Sequence, residues 1–80
     1  MLTVTNQIKA ARALLGWNQL ELCKQAGVSI STIRRLEASD GSIEAHYDTV
    51  TKVCSALERA GVSFIDGPNY GVRLTIAKPQ

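Results

Sequence analysis

Two short amphipathic segments meet at the tetrapeptide AGVS (residues 26–29), and this junction restricts the fold more than any other stretch of the chain. Gly27 can adopt the left-handed backbone conformation that ends a helix, and Ser29 is suited to cap the next one. The sequence therefore predicts two helices joined by a tight corner. The apolar residues predicted to face the core are Leu20, Leu22, Cys23 and Ala26 before the corner, and Val28, Ile33 and Leu36 after it.

Polar side chains occupy the other side of the second segment. Its members Ser31, Thr32, Arg34 and Arg35 can donate hydrogen bonds but accept few. A helix of this kind, presented by a tight turn, is typical of an element that lies in the major groove of DNA. Residues 1–40 carry five basic and three acidic groups, whereas residues 41–80 carry four of each. The excess positive charge in the first half favours a polyanionic partner.

The size of the chain limits how stable it can be alone. Its 80 residues are 45% hydrophobic and 20% charged, as in an ordinary small globular domain. A domain of this size buries only about 60% of its unfolded surface, so we expect a second copy to contribute to its stability. Neither a signal peptide nor an apolar run of about 18 residues is present, and we expect a soluble, cytoplasmic protein.

Hydrophobic periodicity predicts four helices. The first runs from about Asn6 to Leu15 and stops at Gly16, and either Thr3 or Thr5 can cap it. The other helices are predicted over residues 18–27, 29–38 and 44–60, with a polar turn at residues 39–42. The apolar faces of the first and fourth helices are predicted to consist of Ile8, Ala11, Leu14 and Leu15, and of Tyr47, Val50, Val53, Cys54 and Leu57.

After Gly61 the periodicity changes from helical to two. Residues 62–65 and 72–76 are predicted strands of a β-hairpin, with a turn-rich segment between them. A two-stranded hairpin is marginal in water, so it must pack on the helices or pair with another strand. Pairing with its own symmetry mate would also cover its exposed edge. We assign residues 1–61 to a helical part and residues 62–80 to the hairpin and tail of the same domain.

The segment LGWNQLEL (residues 15–22), the turn AGVS and the later residues STI (31–33) and LE (36–37) resemble the Cro/phage-repressor type of helix-turn-helix, often called the XRE family. The resemblance covers about residues 8–57. It implies a mainly α, four-helix, lambda-repressor-like DNA-binding domain with a short C-terminal β-hairpin, of bacterial or phage origin. Cys23 stands where the family usually has alanine, which is a mild departure because cysteine is also small.

The resemblance also indicates which residues meet DNA. A glutamine at the position of Gln19 touches the DNA backbone in similar repressors and can brace the recognition helix; the alternative is an ordinary exposed helix-start residue. Ile30 either contacts a thymine methyl group or packs under the turn. Thr32 either contacts a phosphate or bonds back to the backbone. Lys9 is a lesser phosphate candidate. The residues that we predict to contact DNA are Gln19, Lys24, Ser29, Ile30, Ser31, Thr32, Arg34 and Arg35.

Two further sets of residues follow from the resemblance. Similar repressors pair an arginine of the first helix with a glutamate at the end of the recognition helix, and Arg12 and Glu37 occupy those positions. We expect this pair to be structural, because it would fix the first helix against the third. In similar short regulators the C-terminal β segment sits in a dimer contact. The residues predicted for that contact are Phe64, Val72, Leu74 and Ile76.

Other chemistry has little support in the sequence. Cys23 and Cys54 are predicted to be buried, reduced thiols, and His46 has no partner at metal-ligand spacing. We expect no metal, cofactor, catalytic residue or small-molecule substrate. The predicted function is sequence-specific binding of double-stranded DNA by a homodimer, to repress transcription from an inverted-repeat operator. The alternative is an antitoxin or phage-type switch component that also binds a protein partner.

Overall fold

The computed structural model describes residues 5–38 and 47–76. Its elements, in chain order, are α1 (Thr5–Leu15), α2 (Gln19–Ala26), α3 (Ile30–Glu37), α4 (Tyr47–Arg59), β1 (Val62–Ile65) and β2 (Gly71–Leu74). Within these residues, the four helices and the antiparallel hairpin confirm the predicted fold class. The predictions for Thr3, for the turn at residues 39–42, for the start of α4 at residue 44, for His46 and for the tail beyond residue 76 lie outside the described residues.

Local hydrogen bonds define the corner between α2 and α3. The Oδ1 atom of Asn18 accepts a hydrogen bond of 2.8 Å from the backbone N–H of Glu21, which caps the start of α2. Gly27 ends α2 with a φ of 72°, in the left-handed region that glycine adopts without a side-chain penalty. The Oγ atom of Ser29 accepts from the N–H of Thr32 at 3.2 Å and caps α3. The caps predicted at Asn18 and Ser29, and the stop at Gly27, are therefore confirmed.

The core lies where the four helices and β1 meet. Both predicted thiols, Cys23 and Cys54, are buried in it. Burial raises the pKa of the Cys23 thiol, which disfavours the reactive thiolate. Trp17, Val28 and Ile30 are partly buried against the core. The fully buried apolar residues are Ile8, Ala11, Leu22, Ile33, Val53 and Leu57.

Three residues predicted to face the core are instead exposed: Leu14 (46%), Leu20 (65%) and Tyr47 (74%). Residues two apart on a helix point in nearly opposite directions. Because Leu22 lies at the centre of the buried face of α2, Leu20 is turned away from it. Leu14 is likewise off the stripe that Ile8 and Ala11 define on α1. For Leu20 and Leu14, the prediction was wrong because hydrophobicity was given more weight than angular position. Tyr47 is in line with Val50 and Cys54, and it is exposed at the first residue of α4.

The hairpin lies with one face on the helices. In its register Val62 is opposite Leu74 and Phe64 is opposite Val72. Val62 is buried, and the other three side chains of this face are partly buried against the core. The hairpin contacts α1 through β2 and α4 through β1. These four residues therefore complete the core of their own chain.

The second strand ends at Leu74, two residues before the predicted end at Ile76. The last backbone bond of the hairpin runs from the N–H of Thr75 to the carbonyl oxygen of Gly61 at 2.8 Å. Continuing the register would place Ala60 opposite Ile76. The N–H of Ala60 instead donates to carbonyl oxygens at the end of α4, so the first strand offers Ile76 no partner. A Cβ atom at Gly61 would lie 2.5 Å from the carbonyl oxygen of Thr75, and only glycine permits this approach.

A buried amide connects the hairpin to α1. Gln7 is 2% exposed, and its Nε2 atom donates hydrogen bonds of 3.0 Å to the carbonyl oxygens of Ile65 and Gly71. Those two residues are the last pair of the ladder before the loop. Gln7 therefore holds both strands at the point where the hairpin turns.

Among the described residues, no helix combines the length and the apolar character needed to cross a membrane.

Candidate nucleic-acid interface

The exposed side of α3 carries the side chains predicted to read DNA. Ser31, Arg34 and Arg35 are all exposed, and their spacing of three and four residues places them on one face of the helix. Ile33 and Leu36 are buried on the opposite face. In the described part of the chain, neither Arg34 nor Arg35 forms an ion pair within its own fold. Both guanidinium groups are therefore available to an external acceptor.

The only acidic residue of α3 is turned away from this surface. Glu37 is 4% exposed and forms a bidentate pair with Arg12 of α1. The Nε atom of Arg12 lies 2.7 Å from Oε2 of Glu37, and the Nη2 atom lies 2.8 Å from Oε1. The Nη1 atom of Arg12 also donates to the carbonyl oxygen of Trp17 at 3.1 Å. One guanidinium group thus joins α1, the loop before α2 and the end of α3.

Gln19 belongs to the same network. Its Nε2 atom donates to Oε1 of Glu37 at 3.0 Å, so the first residue of α2 is tied to the end of α3. This contact matches the bracing part of the role predicted for Gln19. We call the network of Arg12, Gln19 and Glu37 the brace. It fixes the orientation of α3 against the two preceding helices.

The charges within the brace support each other. Burial alone would raise the pKa of Glu37, but the hydrogen bonds from Arg12 and Gln19 and the nearby charges of Arg12 and Lys9 outweigh it, and the net effect is a lowered pKa. The hydrogen bond to Glu37 raises the pKa of Arg12 in turn. Both groups therefore stay ionised, and the negative charge of Glu37 is neutralised inside the fold rather than presented beside Arg34 and Arg35.

The remaining residues predicted to contact DNA divide into two groups. Ile30 is partly buried against the core, which matches its predicted packing alternative. The hydroxyl groups of Ser29 and Thr32 lie 2.8 Å apart and share a hydrogen bond at the start of α3. These three residues therefore support the helix start. Lys24 is exposed on α2 and Lys9 is exposed on α1, where each remains open to a phosphate.

Two connections were missed by the sequence reasoning. The Nη2 atom of Arg59 in α4 donates to the carbonyl oxygen of Gln25 at 3.1 Å and closes the C-terminal end of α2. Gln7 fixes the hairpin, as described above. The signal for Gln7 was present in the sequence, because it is a polar residue four positions before Ala11 on the buried stripe of α1. Nothing local indicated the partner of Arg59.

The four residues predicted for a dimer contact are not equivalent. Phe64, Val72 and Leu74 lie partly buried against helices of their own chain, whereas Ile76 is 77% exposed. In residues 5–38 and 47–76, no group of three metal-binding side chains comes together.

The most distinctive feature of the candidate interface is the positively charged outer face of α3.

Residues 8–62 match the family model HTH_3, whose description is Helix-turn-helix. The match begins within α1, includes the other three helices and reaches the first residue of β1, which is well over half of the chain. No curated protein matches the chain. The family is a DNA-binding regulatory one and is not enzymatic. With its capped corner and braced third helix, the chain belongs to the XRE/lambda-repressor-type helix-turn-helix family of DNA-binding transcription regulators.

Proposed function

We propose that the protein is a sequence-specific repressor that binds double-stranded DNA as a homodimer. The observation that carries the proposal is the outer face of α3, where Arg34 and Arg35 are exposed and form no ion pair among the described residues. The one carboxylate of the helix is buried and neutralised by Arg12. A helix with this distribution of charge attracts DNA and presents donors to it.

Recognition under this proposal uses two kinds of contact. Ser31, Arg34 and Arg35 reach base edges in the major groove, where arginine pairs bidentately with guanine. Lys24, together with the N-terminal end of α2, meets phosphates and sets the register of the protein on the duplex. Ile30 and Thr32 contribute indirectly, because they hold the first turn of α3 in place.

Two-fold symmetry determines the form of the operator. The two reading helices of a dimer must enter successive major grooves on one side of the duplex, about 34 Å apart. The operator is therefore an inverted repeat whose half-site centres are separated by about ten base pairs. A dimer bound there represses transcription by occluding the promoter.

Single substitutions on α3 test the reading role. Arg34→Ala and Arg35→Ala are compared in fluorescence-anisotropy titrations with an operator selected from random DNA, at one stated salt concentration because affinity depends on ionic strength. At least one of them should weaken specific binding by about 1–3 kcal/mol and relax the base preference at one position. Circular dichroism checks that the fold is unchanged.

The matched control removes an exposed positive charge from a different surface. Lys52→Ala in α4 changes the net charge by the same amount, so it reports the effect of charge alone. The proposal is contradicted if neither arginine substitution weakens binding more than Lys52→Ala. It is also contradicted if both arginine variants lose affinity for all sequences equally.

A further inference from the structure

An arginine connects the end of α4 to the end of α2. The Nη2 atom of Arg59, the last residue of α4, donates to the backbone carbonyl oxygen of Gln25 at 3.1 Å. Gln25 lies in the last turn of α2, where carbonyl groups have no partner within the helix. An arginine supplies the missing donor at such a position, and its positive charge lies favourably at the negative end of the helix dipole.

The carbonyl group that Arg59 bonds is next to the corner between α2 and α3. The N–H groups of Gly27 and Val28 both donate to the carbonyl oxygen of Cys23, at 2.8 and 3.2 Å, and these bonds give the corner its shape. Gln25 is enclosed within the same turn of the backbone. Local bonds therefore determine how the chain turns, and the bond from Arg59 holds this turn against α4.

α2 is the element through which α4 meets α3. The main contacts of α4 are with α2 and β1, and those of α3 are with α1 and α2. At its start, α2 is fixed by Gln19, which donates to Glu37 at 3.0 Å. At its end, α2 is fixed by Arg59. The brace and Arg59 therefore act on opposite ends of the same helix.

We propose that Arg59 is a positioning residue for DNA recognition. It holds the corner so that α3 leaves α2 at the angle at which its outer face fits the major groove. The side chain acts through Gln25 and α2, and it does not itself touch DNA. This inference rests on the reading role of α3 in the proposed function, and it adds a residue of α4 on which that role depends.

The exposure of this contact determines what its loss should do. Arg59 and Gln25 are both exposed, so water can replace the guanidinium group as a donor, and the fold should survive the removal of the side chain. The corner should instead gain freedom. A site that adopts its binding geometry for only a fraction of the time loses affinity in proportion to that fraction. Arg59 should therefore affect affinity for the operator more than stability.

The test compares Arg59→Ala and Arg59→Lys with the charge-matched control Lys52→Ala. Lys52 is an exposed cation on the same helix. Operator binding is measured by fluorescence anisotropy at several salt concentrations. Arg59→Ala should bind the operator about three- to tenfold more weakly than Lys52→Ala does, with an unchanged circular dichroism spectrum. Arg59→Lys keeps a cationic donor and should recover most of the lost affinity. Equal operator affinities of Arg59→Ala and Lys52→Ala would overturn the proposal.

The salt dependence separates positioning from a direct contact with DNA. Each phosphate that a side chain neutralises contributes about 0.9 to the slope of log K against log salt concentration. A positioning residue leaves this slope unchanged and weakens binding to the operator more than binding to random DNA. A slope reduced by about 0.9 in Arg59→Ala but not in Lys52→Ala, or an equal loss of affinity for both kinds of DNA, would overturn the proposal.

Amide hydrogen exchange tests the corner in the absence of DNA. In Arg59→Ala the amides of Gly27 and Val28 should exchange about three- to tenfold faster, because the corner opens locally more often. The amide of Ala11, in the middle of α1, should keep its rate. An equal increase at all three amides would show that Arg59 contributes only to overall stability. That result, or unchanged exchange at both corner amides, would overturn the proposal.

The variants of α3 separate this proposal from the proposed function. If Arg34→Ala or Arg35→Ala weakens operator binding while Arg59→Ala behaves like Lys52→Ala, the reading role stands and the positioning role is wrong. If the variants of Arg34 and Arg35 also behave like Lys52→Ala, the proposed function is wrong. Exchange at the corner then still decides whether Arg59 holds α2 in place.

Discussion

The helix-turn-helix and the C-terminal hairpin are both held against α1, but by different chemistry. The third helix is fixed by an ion pair in which Glu37 is 4% exposed and bonded by both Arg12 and Gln19. The hairpin is fixed by an apolar face and by one neutral amide, that of Gln7. A buried ion pair is added to the apolar packing of the helix that we propose to read DNA, whereas a neutral amide is added to the apolar packing of the hairpin.

The difference predicts unequal responses to the loss of one partner. A buried carboxylate without its cation is costly, because the charge has been removed from water and is no longer compensated. A backbone carbonyl that loses a side-chain donor is less costly, because it carries no net charge. We therefore expect the helix-turn-helix to be the more sensitive of the two regions to single substitutions in its contacts with α1.

The largest effect is expected for Arg12→Ala. The substitution leaves Glu37 buried with only Gln19 as a donor, and we expect the free energy of unfolding to fall by about 3 kcal/mol. Urea denaturation followed by circular dichroism measures the change. Arg35→Ala, which removes an exposed arginine, serves as the control and should change stability by no more than about 0.5 kcal/mol. Equal effects of the two substitutions would show that the brace contributes nothing to stability.

An intermediate effect is expected for Gln7→Ala, which breaks the neutral connection. Two carbonyl oxygens lose a donor, and we expect a loss of about 1–2 kcal/mol. Native-state hydrogen exchange should show faster exchange of the hairpin amides, with those of α3 much less affected. The exposed neighbour Asn6 provides the matched control, Asn6→Ala. If the amide exchange rates of α3 and of the hairpin rise equally in Gln7→Ala, the two regions are not held independently.

The smallest and most gradual effect is expected from acid. Because the pKa of Glu37 is lower in the folded chain than its usual value, the folded state holds the proton less tightly than the unfolded state. The stabilisation is complete above the unfolded pKa of about 4.3. It is lost as the pH falls through the lower folded pKa. Glu37→Gln cannot titrate, so its stability should depend less on pH below about pH 5. Identical pH dependence in both proteins would contradict this role of Glu37.

The same contrast explains what could be predicted from the sequence. The corner between α2 and α3 was predictable because Asn18, Gly27 and Ser29 act on backbone groups within a few residues of themselves. The Arg12–Glu37 pair spans 25 residues and was reached only through resemblance to a family. The contacts of Gln7 span 58 and 64 residues; local sequence places Gln7 on the buried stripe of α1, but it does not identify these partners.

The hairpin shows a second limit of sequence reasoning. Alternation correctly predicted that Val72 and Leu74 share a face, but it carries no information about what covers that face. In the fold this face, with Phe64, lies against the helices of the same chain. Leu20 shows the converse error, since an apolar residue near a buried stripe is not necessarily part of it. Periodicity predicts orientation, and the partner comes from tertiary structure.

Gly61 has a consequence for the choice of operator. α4 ends at Arg59 and β1 begins at Val62, and the backbone at Gly61 touches that of Thr75 so closely that a Cβ atom would not fit. This close approach and the hydrogen bond from Thr75 to Gly61 hold the start of the hairpin against the end of α4. In the homodimer proposed above, a hairpin held in this way at the dimer contact would fix the separation of the two helices that we propose to read DNA. Such a dimer would discriminate among operators by the length of the spacer between half-sites as well as by their base sequence.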